Sequence, residues 1–382
     1  MQDMYASGDW NVQPNTQTFR SVILAWEKVG SGANSHVDRA HQVLQWMIYL
    51  YKMNDNDYAA PDMECFNIVL RGWAASSDPD APIKAEGLLI QMDQLFSEGI
   101  LESKPNTKHF NHILSAWSRS SHKGAPRRAE DILHHMEILS EKKDNNIEPD
   151  FLSYGIVSAA WAKSGIPGAA KKAEVILNIQ SKKAARNEDP YLCPDTITYN
   201  IVIDAWAKED VRKAPQRARA LLDQQIDMYT NKGIKKCRPD VYGYTSVISS
   251  CARTKGSWKD KKLALEIAQR TFNELSECEY TSPNYVTYGT MLKACAKLLP
   301  AESKQRQKLV KKYFREACRN GCAGDMVFRR LGEAASPELK KKLLHDYEGY
   351  LNEWTMNVPK NEKNAIQKKI PDFDDEKKKL LP

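Results

Sequence analysis

The hydrophobic and polar positions of this chain recur in one fixed order, and each recurrence follows a proline. The prolines lie 47, 44, 44, 45, 45 and 44 residues apart. They are Pro14, Pro61, Pro105, Pro149, Pro194, Pro239 and Pro283. A period of this length predicts stacked helical hairpins, because each hairpin can bury its apolar face only against its neighbours.

Five slots after each proline keep their chemistry. The first residue is Asn or Asp, the fifth is Phe or Tyr, the eighth is aliphatic or Met, the eleventh is small, and the twelfth is Trp or Cys. At ~100° per residue, the fifth, eighth and twelfth residues lie within ~60° of one another and form a single apolar stripe. The Asn or Asp lies where a helix N-cap is expected, so the pattern predicts a first helix in every repeat.

A second apolar pattern follows each first helix after a short break that often contains Pro or Gly. Its marker is an alanine with apolar residues three and four positions later, as at Ala85 and Ala129. Met92 and Met136 lie seven positions after those alanines, two turns along the same face. The chain is therefore predicted to be all-α, a right-handed α-solenoid (α-α superhelix) of stacked helix-turn-helix repeats.

The seven repeats occupy residues 14–299, and the segment before them fits an incomplete eighth. Met1 lies 13 residues before Pro14, the distance between the methionine slot and the next proline in the second and third repeats. Residues 1–13 are therefore expected to be the remnant of a preceding repeat's second helix. We expect an N-terminal part to be missing, so the lack of a targeting segment in this chain carries no information.

The regular pattern stops after residue 299. Helices predicted over 303–319 and 336–354 form a capping region, residues 300–358. Residues 359–382 are Lys-rich and polar, and we expect them to be disordered.

Composition narrows the class of protein. The 382 residues carry a net charge of +7, which leans toward a polyanionic partner, and the sequence contains no apolar run long enough to span a membrane. Eight scattered cysteines in so large a chain indicate a reducing compartment rather than a disulfide framework. Cys318 and Cys322 could share a helical face as a metal pair, but no second pair completes a tetrahedral site, and no cofactor is expected.

Three further slots lie on the face opposite the aromatic stripe. The fourteenth residue after the proline is basic in six of seven repeats, and the third is apolar in the four later ones. The basic residues are Lys28, Arg119, Lys163, Lys208, Arg253 and Lys297. The apolar residues are Leu152, Ile197, Tyr242 and Val286. The sixth residue, often small and polar, lies ~60° to one side.

A surface that stacks bases, reads their edges and neutralises phosphates needs this combination of apolar, small polar and cationic groups. The alternative is that Lys and Arg only end the first helix, where its dipole favours a cation. The coincidence of all three slots favours nucleic acid.

With these slots the chain resembles the pentatricopeptide repeat family. "CPDTITYNIVIDAWAK" and "RPDVYGYTSVISSCAR" are similar to its Pro-Asp, Thr-Tyr-Asn, aliphatic-pair and terminal-Lys signature, and "RARALLDQQ" and "RAEDILHHM" to its second helix. The resemblance covers residues 14 to about 298. It implies an α-solenoid that binds single-stranded RNA with one nucleotide per repeat, in a mitochondrion or chloroplast. It further implies a role in organellar RNA processing, stabilisation or translation, with protein partners in an RNA-processing complex and no membrane.

The resemblance also implies a role for each slot. The sixth residue and the Asn or Asp that opens the next repeat would read the base, the third would sandwich it, and the fourteenth would meet phosphate. The implied base-reading pairs are Asn67 with Asn106, Asn111 with Asp150, Asn200 with Asp240, and Thr245 with Asn284. The second and third of these resemble uracil readers, the first a pyrimidine reader and the last an adenine reader. The implied RNA core is 5′-N-Y-U-N-U-A-3′.

Several features depart from the family pattern. The repeats are longer than usual, and the sandwiching slot holds Gln17, Glu64 and Lys108 in the first three. Arg20 with Asp62, and Gly155 with Asp195, fit no common pairing, and Gly289 has no partner. Trp at the twelfth slot affects packing rather than RNA contacts. The Asn and Asp openers would also be kept as N-caps without any RNA.

Two other classes of function compete with RNA binding. A protein-binding helical scaffold would use the same architecture, but it has no need of a cation in every repeat. An enzyme is not expected, since no His-x-Glu with a following Pro-Cys-x-x-Cys occurs and zinc deaminase chemistry is therefore absent. His134 and His135 point ~100° apart on a helix and fit surface positions better than ligands. Catalysis would need a missing N-terminal part or a partner.

Overall fold

The computed structural model describes residues 13–29, 35–54, 56–142, 147–344 and 351–365. These residues form 17 α-helices, two short 3₁₀ helices and a helical segment at residues 360–365, with no strand among them. They divide into two compact units, Met1–Cys193 and Pro194–Pro382. The predicted all-α class is confirmed.

The first unit contains four consecutive hairpins. They are α1 (Thr16–Lys28) with α2 (Ser35–Lys52), α3 (Met63–Ala75) with α4 (Ala81–Ser97), α5 (Thr107–Arg119) with α6 (Ala125–Glu141), and α7 (Phe151–Lys163) with α8 (Ala169–Arg186). A 3₁₀ helix, Asp57–Ala59, precedes α3.

The second unit contains three further hairpins and a terminal group of helices. The hairpins are α9 (Thr196–Lys208) with α10 (Ala214–Thr230), α11 (Val241–Ala252) with α12 (Trp258–Glu277), and α13 (Tyr285–Leu298) with α14 (Lys304–Arg319). The terminal helices are α15 (Asp325–Ala334), α16 (Pro337–Leu344) and α17 (Leu351–Trp354). A 3₁₀ helix, Lys235–Cys237, precedes α11.

Within each unit the helices form two layers. Each odd-numbered helix from α1 to α13 is the first helix of a repeat, and it packs on its own second helix and on the next first helix of the unit. Where the following repeat belongs to the same unit, each second helix also packs on the first helix of that repeat. First helices thus lie side by side, and their exposed faces form one continuous surface in each unit.

Each first helix begins at the residue that the sequence predicts as its N-cap. In all seven, the Asn or Asp side chain accepts a hydrogen bond from a backbone N–H of the first turn. These caps are Asn15, Asp62, Asn106, Asp150, Asp195, Asp240 and Asn284. Loss of such a cap costs about 1 kcal/mol, so these residues have a structural role whether or not RNA binds.

The core lies between the two layers and is wider than the predicted stripe. Phe66, Val69 and Trp73, in the fifth, eighth and twelfth slots, are all fully buried. The ninth slot, which the stripe omits, is also buried in every repeat, because a first helix has neighbours on both sides. Its residues are Ile23, Leu70, Leu114, Ser158, Ile203, Ile248 and Leu292. The prediction fails at Val22, which is 40 % exposed while the adjacent ninth-slot residue is buried.

A threonine two residues after the proline ties consecutive repeats together. Thr16 Oγ1 donates to the carbonyl of Ala60 at 2.7 Å, immediately before the next repeat's proline. Thr107 and Thr196 make the same bond to the equivalent carbonyls, at 2.8 and 2.7 Å. These bonds hold the openings of successive first helices together, which brings the sixth slot of one repeat next to the opener of the following one.

The carboxyl-terminal helices differ from those predicted. A helix is present at α14, where one is predicted over 303–319, and it packs on α13 as the second helix of the seventh repeat. Helix α15 is not predicted from the sequence, and it packs on α13 in the place of a further first helix. The helix predicted over 336–354 corresponds to α16 and α17, with residues 345–350 outside the described part.

The predicted disorder from residue 359 onward begins too early. Residues 360–365 are helical, and the Glu362 carboxylate accepts a hydrogen bond from the backbone N–H of Met326 at 3.0 Å, in the first turn of α15. A carboxylate at this end of a helix is favoured by the exposed N–H groups and the helix dipole. Residues 366–382 and the predicted helical remnant, apart from its last residue, lie outside the described residues. Among the described helices, none is long and apolar enough to cross a bilayer.

Candidate nucleic-acid interface

Two of the predicted base-reading pairs are in direct contact. The amide nitrogen of Asn111 donates to the two carboxylate oxygens of Asp150 at 3.1 and 3.2 Å. In the second unit, Asn200 Nδ2 donates to Asp240 Oδ1 at 3.0 Å. Each pair joins two successive repeats, so the sixth slot and the next opener form a single polar site at each of these junctions.

The chemistry of the opener fixes how each amide is turned. A carboxylate only accepts hydrogen bonds, so the Asn must present its NH₂ group to it. The same carboxylates accept from backbone N–H groups, that of Ser153 at 2.9 Å and that of Gly243 at 3.1 Å, which holds them in place. A base at these junctions therefore meets a donor beside an acceptor, which complements the O4 and N3–H of uracil.

The predicted pair Thr245 and Asn284 is linked through a third residue. Thr245 Oγ1 lies 2.8 Å from Thr287 Oγ1, which in turn donates to Asn284 Oδ1 at 3.1 Å. Thr287 occupies the fourth slot after the proline, next to the opener in the first turn of α13. This junction is therefore polar, but its two predicted readers do not touch.

The predicted pair Asn67 and Asn106 is not formed. Asn67 is 2 % exposed; its Nδ2 donates to Glu64 at 3.1 Å, and its Oδ1 lies 3.0 Å from His112 Nε2. Asn106 forms a capping box with His109 instead. The pair does not form because His112, on the next first helix, occupies the amide oxygen of Asn67, and Glu64 occupies its amide nitrogen.

The two histidines at this junction are neutral. Burial, together with nearby cationic charge, lowers the pKa of His109 and of His112 to about 4. Since the Asn67 amide nitrogen is used on Glu64, its oxygen must accept, and His112 therefore carries its proton on Nε2. The junction is a closed hydrogen-bonded network within the protein.

The first junction contains an ion pair. Arg20, in the sixth slot, pairs directly with the opener Asp62, although this combination fits no common pairing of the family. The side chains are about one third exposed, 34 % and 31 %. The geometric rule that the sixth slot meets the next opener therefore holds here with different chemistry.

Three of the four apolar residues at the third slot are exposed. Leu152 is 49 % exposed, Ile197 67 % and Tyr242 51 %, while Val286 is half-buried. Single exposed apolar residues are ordinary on protein surfaces, but recurrence at one slot of successive helices is not. The polar residues of the first three repeats are exposed at the same slot.

All six cations of the fourteenth slot are exposed. Lys208 forms an ion pair with Asp204 at 2.6 Å one turn earlier, and Arg119 donates to the Ala75 carbonyl at 3.4 Å. Exposed pairs of this kind contribute at most about 1 kcal/mol, so a phosphate can compete with them.

The second unit also contains cations that the sequence analysis missed. Burial lowers the pKa of Lys293, and the charges of Arg330, Arg253 and Lys297 lower it further. Helices α11, α13 and α15 thus bring four cations together. Lys293 lies in the tenth slot, which is basic in only two repeats, so no recurrence marks it. Arg330 lies on α15, which is itself not predicted.

The cysteines are core residues. None of the eight, all of which lie in the described residues, forms a disulfide, and all but Cys278 are buried. Burial raises the pKa of Cys65, Cys251, Cys295 and Cys318 to about 12, which makes their thiols poor ligands and nucleophiles. Within the described residues, no group of three or more His, Cys, Asp and Glu side chains could hold a metal ion.

Comparison with protein-family models matches residues 227–298 to the pentatricopeptide repeat domain. This stretch runs from the end of α10 through α13, all in the second unit, and contains the junction of the sixth and seventh repeats. A search of curated protein sequences finds no match. A pentatricopeptide repeat generally indicates an RNA-binding helical-repeat protein, typically without catalytic activity. The predicted resemblance to the pentatricopeptide repeat family is therefore confirmed at residues 227–298.

Proposed function

We propose that the chain binds single-stranded RNA sequence-selectively and acts in organellar RNA processing, stabilisation or translation. The observation that supports this most is the surface of the second unit. There, α9, α11 and α13 each present an apolar sandwiching residue and an exposed cation, and α9 and α11 also present a polar sixth-slot residue near the next opener. Gly289 in α13 is the exception, since it faces Met326 rather than a polar opener.

The three roles lie within reach of one nucleotide. Burial raises the pKa of the Tyr242 phenol, the charges of Asp204 and Asp240 raise it further, and that of Lys208 opposes them. The sandwiching residue of the sixth repeat is therefore close to the cation of the fifth repeat and to its own opener. A base stacked on Tyr242 would have a phosphate partner and a reading group beside it.

The residues assigned by this proposal follow the slots. Asn111 with Asp150 and Asn200 with Asp240 would read uracil, and Thr245 with Asn284 adenine. We no longer assign a pyrimidine to Asn67 and Asn106, because His112 occupies the amide that would read it. The expected core then becomes 5′-N-N-U-N-U-A-3′.

A protein-binding scaffold is the rival function. A groove for a peptide would also expose apolar residues, but it would not require a cation at the same slot in six of seven repeats. Three cations, Arg330, Arg253 and Lys297, act on the pKa of Lys293, whereas Glu333 is the single carboxylate among the described residues that does so. The positive charge of this four-cation group is therefore not balanced by nearby carboxylates in the described part of the chain. This balance favours a polyanion.

The test is selection from a randomised single-stranded RNA pool by the purified chain at two salt concentrations. Enrichment of the expected core, with binding that weakens at higher salt, would support the proposal. Salt-sensitive binding without enrichment would retain RNA but remove the sequence assignments. If no RNA binds even at low salt, the proposal is wrong, and a pull-down for protein partners becomes the next experiment.

A further inference from the structure

Within the described residues, buried polar atoms without hydrogen-bond partners occur at Asn200, the proposed base-reading residue of the fifth repeat, and at Gln225 on the second helix of the same repeat. Asn200 is 7 % exposed and Gln225, on α10, is fully buried. In the part of the chain that the structure describes, Asn200 Oδ1 and both amide atoms of Gln225 have no hydrogen-bond partner. Burying a polar group without a hydrogen-bond partner lowers the stability of the fold, so the presence of three such atoms at one site needs an explanation other than stability.

Gly243 makes the room for this arrangement. A Cβ atom at Gly243 would lie 2.7 Å from Asn200 Oδ1, a contact that side chains do not tolerate, and 3.8 Å from Gln225 Oε1. Gly243 is the third residue of α11, and glycine is among the least favourable residues within a helix. Helix stability therefore does not account for glycine here.

The other Asn–Asp junction is built differently. At the slot of Gly243 it has Ser153, whose hydroxyl donates to Asn111 Oδ1 at 2.7 Å. At the slot of Gln225 it has Met136, which is fully buried. The Asn111 oxygen is thus held by a hydroxyl, whereas the Asn200 oxygen enters a recess bounded by a glycine and a buried amide.

We propose that Gly243 and Gln225 are positioning residues that set the base preference of Asn200. The recess admits Oδ1 and places it near the Gln225 amide, so Asn200 directs its N–H groups toward Asp240 and toward the base. An N–H donor favours the O4 carbonyl of uracil over the N4 amine of cytosine. This inference rests on the proposed RNA binding and adds two residues to it.

The experiment measures affinities of the full chain for RNAs that carry each of the four bases at the nucleotide assigned to the fifth repeat. Gly243→Ala should displace Oδ1 and lower the preference for uracil over cytosine about tenfold, the size expected for one lost hydrogen bond in a buried site. Gln225→Met, which installs the residue of the matching slot, should act in the same direction by about threefold. The preference for adenine at the next nucleotide, assigned to Thr245, should not change.

Gly87→Ala provides the matched control. Gly87 lies in α4 with nothing near its missing Cβ, so this variant gains the same helix propensity and should leave every base preference unchanged. Thermal unfolding should show that neither alanine variant is destabilised. Equal losses for all four bases, or an unchanged uracil preference in both Gly243→Ala and Gln225→Met, would overturn the inference. Failure of the unmodified chain to bind RNA would instead refute the proposed function.

Discussion

Repeats 1 to 3 of the first unit and repeats 5 to 7 of the second use the same slots for different chemistry. At the sandwiching slot, the former carry Gln17, Glu64 and Lys108, and the latter carry Ile197, Tyr242 and Val286. Both sets stand on helices with the same N-caps and the same buried slots. The fold therefore depends on the caps and the buried slots, and the exposed slots can vary without changing it. The helical architecture alone does not determine where the proposed RNA-binding surface lies.

Several polar groups of the early junctions have partners within the protein. Arg71 pairs with Glu27 of the preceding repeat at 2.9 Å, Arg20 pairs with Asp62, and His112 occupies the Asn67 amide. In the second unit, Arg253 and Lys297 stay exposed beside Lys293. We infer that affinity for RNA comes mainly from the second unit.

The largest expected effect is the loss of that cation group. The triple variant Arg253→Gln, Lys293→Gln and Lys297→Gln should weaken RNA binding by about 100-fold at low salt, close to 3 kcal/mol. The slope of log affinity against log salt should fall by about 2, since each phosphate contact on a single strand contributes ~0.7. Titrations at several salt concentrations measure both quantities.

Lys28→Gln in the first repeat is the control for this triple variant. Its side chain is exposed, as those of Arg253 and Lys297 are, but its repeat has a polar sandwiching slot. We expect less than about a threefold loss of affinity. A loss in Lys28→Gln that matches the per-residue loss of the triple variant would abolish the distinction between the two regions.

Low pH should destabilise the hydrogen-bonded junction of repeats 2 and 3. With pKa values of about 4 in the folded chain and ~6.5 when unfolded, His109 and His112 bind protons in the unfolded state first as pH falls. Stability is therefore fully present above pH ~6.5 and is lost between ~6.5 and 4, by about 2 kcal/mol at pH 5 for the buried His109 and by less for the half-buried His112, whose charge is partly screened by solvent. Urea unfolding at pH 7.5 and 5 measures the loss.

His112→Gln sharpens this test, because an amide can still donate to Asn67 but takes up no proton. The variant should show a smaller loss between pH 7.5 and 5. Residues 194–344 of the second unit contain no histidine, so hydrogen exchange should locate the acid-sensitive opening in the first unit. Opening of the second unit first would contradict the assignment.

The sequence predicts most of the fold because recurrence reports what every repeat shares. Asn and Asp caps and the aromatic fifth slot appear in every repeat, and the structure places each cap at a helix start and each fifth-slot side chain in the core. A side chain that acts at a single junction does not recur at the same slot in other repeats, so a comparison of repeats does not identify it. His112 closes one site, Gln225 backs another, and Lys293 extends the cation group, each only once. Their effects arise from contacts across a junction, which a comparison of repeats cannot supply.

Stacking should contribute less than the cations. Tyr242→Ala is expected to weaken binding about tenfold, near 1.4 kcal/mol, since one base loses its aromatic platform. Tyr242→Phe should retain nearly all affinity because the ring remains. Glu64→Ala in the second repeat should change affinity by less than about twofold, and Glu64→Val should raise it slightly by providing an apolar platform. Filter binding with one selected RNA compares all four variants, and equal losses for Tyr242→Ala and Tyr242→Phe would exclude stacking.

The smallest effect is expected from converting the first junction into a reader. Arg20→Asn places an amide opposite Asp62, in the combination that Asn111 and Asn200 have with their openers. Loss of this ion pair, whose side chains are about one third exposed, should cost less than about 1 kcal/mol of stability. The first nucleotide of the core, now unspecified, should gain about a threefold preference for uracil, a weak one because Gln17 offers no stacking surface. Adding Gln17→Ile should strengthen that preference. If selection with the double variant still shows no preference there, contact between the sixth slot and the opener is not sufficient to select a base. Base selection would then also require neighbouring residues of the kind that Gly243 and Gln225 provide in the second unit.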